Sequence, residues 1–152
     1  MSPMNDDELQ KRLRSLLRED PVPEVRREAA RAVGAFDDAA AVDTLVAALD
    51  DDNVTVRRAA IIALGRAPHE RARAALIDAL TSHPELWQET SAALATAGTP
   101  ELISQLQPLL EHPSTHVRCG AIRALASLRT REVDREPLFF YEDDEGHRHP
   151  LF

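Results

Sequence analysis

The feature of this sequence that most constrains its fold is a unit of about thirty residues that occurs four times. Four segments align with one another: VRREAARAVG (25–34), VRRAAIIALG (56–65), LWQETSAALA (86–95) and VRCGAIRALA (117–126). Their first residues are 31, 30 and 31 positions apart. Apolar residues recur at offsets 0, 7 and 8 within each segment, and these offsets share one face of a helix. An internal repeat of this length is typical of a protein built from stacked helix pairs.

A second apolar segment precedes each of these four, so each repeat is predicted to contain helix A, a short turn and helix B. The A segments are LQKRLRSLL (9–17), VDTLVAAL (42–49), ARAALIDAL (72–80) and LISQLQPLL (102–110). Prolines lie in the A–B turns, where a helix has to end. Asn5 and Glu8 have the spacing of a capping box for the first helix. Pro108 lies inside the fourth A segment and predicts a kink there.

The composition agrees with an all-α chain. Aromatic residues make up only 4% of the 152 residues, and Ala and Leu supply most of the apolar content. Strands favour β-branched and aromatic side chains, whereas an Ala-rich core favours close packing of helices. We expect a repeat domain over residues 1–130, with repeats at about 5–36, 37–67, 68–98 and 99–130, and a separate tail over 131–152.

The spacing of the motif indicates a family. The pattern D-x4-V-R-x2-A-x2-A-L-G, seen most fully at 51–65, resembles a HEAT repeat, and the short period resembles the HEAT-like class of phycobilisome lyases. This resemblance covers residues 5–130 and implies a right-handed α-solenoid whose B helices line the concave face. One helix pair cannot bury its apolar face alone, so neighbouring repeats are expected to stack.

An arginine occupies the second position of three of the four B helices. An acidic residue lies six or seven positions before each of them, which gives the sets Asp20 and Arg26, Asp51 and Arg57, and Glu111 and Arg118. The preferred interpretation is a structural ladder of Asp–Arg contacts that ties adjacent repeats at their turns, as the family resemblance implies. The alternative is a basic stripe for an acidic partner, since further arginines lie on the first two B helices.

The predicted function is that of a non-enzymatic scaffold or adaptor that binds another protein on its concave B-helix surface. A preformed surface loses little ordering entropy on binding. For Trp87, the alternative is packing between the third and fourth repeats. The residues expected to contact the partner are Arg27, Arg31, Arg58, Ile62, Trp87, Glu89 and Arg123.

The tail differs from the repeats in composition and contains four of the six aromatic residues of the chain. We expect it to be irregular or to form a β-hairpin around a turn at 144–146. As a cap it would cover the apolar face of the fourth repeat; the alternatives are partner docking or disorder, and exchange between two copies would give a homodimer. The residues expected to dock are Phe139, Phe140, Tyr141 and Phe152.

The sequence disfavours three other kinds of site known from HEAT-like proteins or from metal-binding motifs. Deoxyhypusine hydroxylase is a HEAT-like enzyme that uses several His-Glu pairs, whereas this chain has the single pair His69-Glu70, so we expect no such enzyme. HEAT-like DNA glycosylases use a basic groove, and a net charge of −8 disfavours a nucleic-acid partner. His147 and His149 beside acidic residues lack a specific metal-binding spacing. The sequence predicts no metal and no cofactor.

The main alternative function is an accessory subunit or chaperone-like relative of bilin lyases, which the resemblance alone suggests. A nucleic-acid-binding HEAT-like module comes third. The first ten residues, MSPMNDDELQ, lack the basic-then-apolar layout of a signal peptide, and no apolar run approaches the length of a membrane span, about 20 residues. A cytoplasmic location without membrane association is therefore expected.

Overall fold

The computed structural model describes residues 3–135 and 139–151, and within residues 131–135, 139–141 and 148–151 it describes the backbone alone. Each repeat is a helix pair, which confirms the all-α solenoid. The helices are α1 (Asp6–Glu19), α2 (Pro23–Val33), α3 (Ala39–Ala48), α4 (Val54–Arg66), α5 (Glu70–Ser82), α6 (Trp87–Ala97), α7 (Glu101–Leu106) and α8 (Thr115–Arg135).

Local sequence signals account for several helix ends. The Asn5 side chain accepts a hydrogen bond from the Glu8 backbone N–H at 2.8 Å, and Glu8 accepts from the Asn5 backbone N–H at 3.4 Å. This is the predicted capping box, which satisfies backbone donors that a helix N-terminus leaves free. Pro23 occupies the first turn of α2, where its missing N–H costs nothing. Gly98 ends α6 with a φ of 62°, a left-handed conformation that glycine adopts readily.

The fourth repeat departs from a regular helix pair. Instead of a kink, the A helix ends as an α-helix at Leu106 and continues as a 3₁₀ helix over Gln107–Glu111. Pro108 explains this change, because its ring clashes with the preceding turn and it has no N–H to donate. The following helix, α8, extends to Arg135 and so passes the domain boundary expected at residue 130.

The B helices pack on one another in the order α2, α4, α6, α8, and more extensively than the A helices do. Two glycines permit this close approach. A Cβ atom at Gly34 would lie 2.8 Å from the Ala63 Cβ, and one at Gly65 would lie 2.9 Å from the Ala93 Cβ. The B helices therefore approach one another more closely than the A helices do.

The burial of core residues depends on the stacking of neighbouring repeats, as a comparison of the same position in the four repeats shows. The first apolar residue of the B segment is buried in the second, third and fourth repeats, at Val56, Leu86 and Val117. Its counterpart Val25 is 37% exposed. Val25 lies in the first repeat, which packs on the second repeat but has no described helix pair on its other side, so a terminal repeat buries less of the same pattern.

The tail contains an antiparallel pair of strands, β1 (Phe139–Glu142) and β2 (Arg148–Leu151), with Phe139 opposite Leu151. The connecting turn is closed by a hydrogen bond from the Asp143 N–H to the His147 carbonyl oxygen at 3.0 Å. The expected docking of the tail falls outside the described side chains and remains a prediction. Within the described residues, no helix is both long and apolar enough to cross a membrane.

Candidate functional site

Arg26 joins the first and second repeats. Its Nε donates to Asp51 Oδ2 at 2.9 Å and its Nη2 to Asp51 Oδ1 at 3.0 Å, a bidentate ion pair that is almost buried. Nη2 also contacts Asp52 at 2.8 Å, and Nη1 donates to the Asp20 carbonyl oxygen at 2.8 Å. Asp20 therefore contributes to the ladder through its backbone, and its carboxylate instead accepts a hydrogen bond from the Val22 N–H.

The environment of Asp51 favours its ionised form. Burial by itself would raise the pKa of this carboxyl, but hydrogen bonds from Arg26 and from the Asn53 backbone N–H outweigh it, and the pKa lies below its ordinary value. The hydrogen bond to Asp51 likewise raises the pKa of Arg26. The pair is therefore fully charged at neutral pH.

Arg57 forms the next contact, between the second and third repeats. Its Nη1 donates to the Asp51 carbonyl oxygen at 2.8 Å, and its Nη2 lies 3.9 Å from a carboxylate oxygen of Glu85. His83 lies between Asp50, at 3.2 Å, and Glu85, at 3.7 Å. Glu85 and His83 were not among the predicted ladder residues, because the motif has its carboxylate before the turn whereas Glu85 follows Pro84.

The pairing expected between Glu111 and Arg118 is not formed. Arg118 Nη1 donates to the carbonyl oxygens of His112, at 2.7 Å, and Pro113, at 3.0 Å. These bonds hold the turn of its own repeat. Arg26 and Arg57, by contrast, each reach a carboxylate in the following repeat, and the described part of the chain has no further helix pair beyond α8.

Four of the predicted partner contacts line one groove between α2 and α4, which we call the α2–α4 groove. Arg27, Arg31, Arg58 and Ile62 lie in it, and the Ile62 side chain is half-exposed. The groove has a volume of about 860 Å³. It is also lined by Gly34, Ala35, Thr55, Ala59, Ala63 and Arg66.

The guanidinium groups of the α2–α4 groove are only partly neutralised. Glu28 lies 3.4 Å from Arg27 and 3.6 Å from Arg31. Glu89, which was predicted to contact a partner directly, pairs with Arg58 across α4 and α6 at 3.1 Å. Arg66 is exposed and has no ion pair within the described residues. Exposed pairs of this kind are weak, so an incoming carboxylate can exchange with them.

Trp87 and Arg123 lie away from this groove, between the third and fourth repeats. Trp87 is half-buried against the core, and its ring stacks with that of His116 at a centroid distance of 6.5 Å. The Arg123 guanidinium lies 4.7 Å from the centre of the indole ring, a cation–π contact. Trp87 thus packs between α6 and α8 with the Arg123 guanidinium over its ring, and the expected contact of these two residues with a partner stays a prediction.

The described residues contain no cluster of three or more His, Cys, Asp or Glu side chains arranged to hold a metal ion. His147 lies 3.5 Å from Asp143 and 3.7 Å from Glu145, in the exposed turn between β1 and β2. His69 precedes α5 and contacts the Asp37 carbonyl oxygen. The α2–α4 groove, by contrast, offers guanidinium groups beside aliphatic side chains.

Comparison with known proteins establishes the family. The family model for HEAT repeats matches residues 11–92 and 82–144. The protein belongs to the HEAT-repeat family, and it is similar to subunits of bilin lyases. The second match extends past residue 130, into the stretch expected to form a separate tail.

Two curated relatives come from Nostoc sp. strain PCC 7120. The bilin biosynthesis protein PecE is 36% identical over 101 residues, which cover 65% of this chain and 40% of the relative. The phycocyanobilin lyase subunit alpha is 35% identical over 127 residues, which cover 75% of this chain and 46% of the relative. The chain thus spans less than half the length of either relative.

Two solved structures share the fold. Human deoxyhypusine hydroxylase in complex with glycerol superposes with a TM-score of 0.67 at 26% identity, covering 85% of this chain and 46% of that one. The complex of CpcE and CpcF of phycocyanin lyase from Nostoc sp. PCC7120 gives a TM-score of 0.60 at 27% identity, and the match covers 84% of this chain and 55% of that one. A fold shared by two different activities shows that function has to be argued from the surface.

Proposed function

We propose that this protein is an accessory subunit of the bilin-lyase class, which acts by holding a protein partner on the surface of its B helices. The observation that carries the proposal is the α2–α4 groove. Arg31, Arg58 and the half-exposed Ile62 lie on the stacked B helices α2 and α4 and are accessible from solvent. Arg is enriched at the energetic centres of protein interfaces.

The relatives support the class. A phycocyanobilin lyase subunit and the complex of CpcE and CpcF of phycocyanin lyase are both similar to this chain, and this similarity supports a protein partner. An accessory role fits the chemistry of the groove, because guanidinium groups stay protonated and serve to bind anions rather than to exchange protons.

A second candidate is the scaffold or adaptor for a partner unrelated to bilins. The same exposed groove favours it, since HEAT-like surfaces serve many roles. The two candidates differ in what the partner carries: a bilin-lyase subunit is expected to retain a bilin-bearing protein or a second lyase-type subunit, whereas a general adaptor is expected to retain neither.

The experiment is affinity capture from a bilin-producing host, with bound material analysed by mass spectrometry and visible absorbance. Ile62→Glu tests the groove, and Ile122→Glu is its matched control, because these isoleucines are 50% and 57% exposed on different B helices. We expect a stoichiometric partner that Ile62→Glu loses and Ile122→Glu keeps. Equal binding by both variants would contradict the proposed surface, and a colourless, lyase-unrelated partner would favour the adaptor.

A further inference from the structure

We propose that the α2–α4 groove accepts an acidic helix of the partner, in which an apolar residue lies one helical turn from an acidic residue on either side. The inference rests on the proposed function, because it uses the same surface and adds the chemistry of the partner. It is carried by the order of the side chains along α4 and α2.

The spacing along the groove sets the pattern of the ligand. Arg58, Ile62 and Arg66 follow one another on α4 at intervals of four residues, which places them about 6 Å apart along the helix axis. Arg27 and Arg31 have the same spacing on α2, on the opposite wall. A partner helix lying along the groove has the same rise per residue, so its residues i, i+4 and i+8 match these positions.

The charge of the groove favours an anionic ligand. The groove contains four guanidinium groups, and within the described residues only two carboxylates, those of Glu28 and Glu89, pair with them. The groove is therefore locally basic, although the chain as a whole has a net charge of −8. Arg–carboxylate contacts are directional and often bidentate, which favours acidic side chains held at fixed positions on a helix.

The floor of the groove selects a peptide over a nucleic acid. Ala35, Ala59 and Ala63 line it with short aliphatic side chains, and Ile62 projects from α4 with half of its surface exposed. Short side chains let a partner helix approach closely, and burial of Ile62 against an apolar residue of that helix stabilises the complex. A phosphate backbone would leave this apolar surface without a complementary group.

The probe is a fluorescein-labelled, Ala-rich helical peptide of about eighteen residues, a length at which isolated helices form. It carries Glu, Leu and Glu at positions i, i+4 and i+8, and the matched peptide carries Gln in place of both Glu residues. Fluorescence anisotropy with the full chain at low salt is expected to show at least tenfold tighter binding of the Glu peptide. The difference is expected to shrink as salt rises.

Two charge reversals locate the binding. Arg66→Glu is expected to weaken binding of the Glu peptide about tenfold, because it places a carboxylate opposite a carboxylate of the peptide. Arg129→Glu makes an equal change of charge at an exposed position on α8 and is expected to leave the affinity for the Glu peptide unchanged. The comparison separates groove contacts from a general effect of net charge.

Two results would overturn the inference: equal or absent binding of the Glu and Gln peptides, or tighter binding of a short DNA duplex than of the Glu peptide. A failure here is distinguishable from a failure of the proposed function. The capture experiment still reports whether Ile62→Glu releases the natural partner, whatever the chemistry of that partner.

Discussion

Replacing Asp51 by Asn tests the contact that joins the first two repeats. Asp51 and Arg26 have side-chain exposures of 12% and 10%, so solvent screens their interaction little. Removing one partner of a buried ion pair costs roughly 3–5 kcal/mol. Arg26 keeps Asp52 and the Asp20 carbonyl oxygen, and the introduced amide still offers one acceptor, which lowers the expected loss. We expect the free energy of unfolding to fall by about 2 kcal/mol.

The matched control is Asp52→Asn, which also neutralises one carboxylate that contacts the Arg26 guanidinium. The Asp52 side chain is 89% exposed, and exposed pairs contribute at most about 1 kcal/mol. Urea unfolding of the wild type and both variants at neutral pH, followed by circular dichroism, measures the difference. Equal losses for the two variants would refute the argument that burial makes the Asp51 contact the stronger one.

The same variant predicts a dependence on pH. The folded-state pKa of Asp51 lies below its ordinary value of 3.8, so its stabilising effect is present above that value and disappears as pH falls through the folded-state pKa. The gap between wild type and Asp51→Asn is therefore expected to stay constant from pH 7 down to about 5 and to narrow below pH 3.8. A gap that is independent of pH would show that the lost stability is not electrostatic.

Three further predictions concern positions away from this pair. Gly98→Ala, at a φ of 62°, is expected to lower the free energy of unfolding by about 1 kcal/mol, measured by urea unfolding. Gly65→Ala is expected to cost about 1–3 kcal/mol because its Cβ would meet Ala93, and Ala93→Gly in the same chain is expected to restore part of the loss. Arg123→Ala is expected to shift the fluorescence of Trp87, the only tryptophan, to longer wavelength by exposing its ring to water; an unchanged spectrum would contradict the contact.

Much of the architecture was predictable because it depends on local periodicity. Apolar residues at helical spacing define the A and B helices, and the Asn5–Glu8 pair caps the first of them. Pro108 was recognisable as an interruption, although the sequence did not show that the chain would continue there as a 3₁₀ helix. Such signals act over a few residues, so the sequence reveals them directly.

The candidate site was only partly predictable. Arg27, Arg31, Arg58 and Ile62 do line one groove, because positions one turn apart on adjacent B helices face the same side. That Arg58 pairs with Glu89 could not be read from the sequence, since the two residues are 31 positions apart and meet only through the register of α4 against α6.

The sequence by itself determined the helices, the repeat and therefore the family, since these follow from residue spacing within about thirty positions. Only the tertiary structure decided which charges are paired and which are free. Arg26, Arg57 and Arg118 occupy the same position of the repeat, yet each has different partners. The physical reason is that a repeat position has no fixed environment until its neighbours stack: the next repeat supplies Asp51 to Arg26 and Glu85 to Arg57, while Arg118 binds the turn of its own repeat.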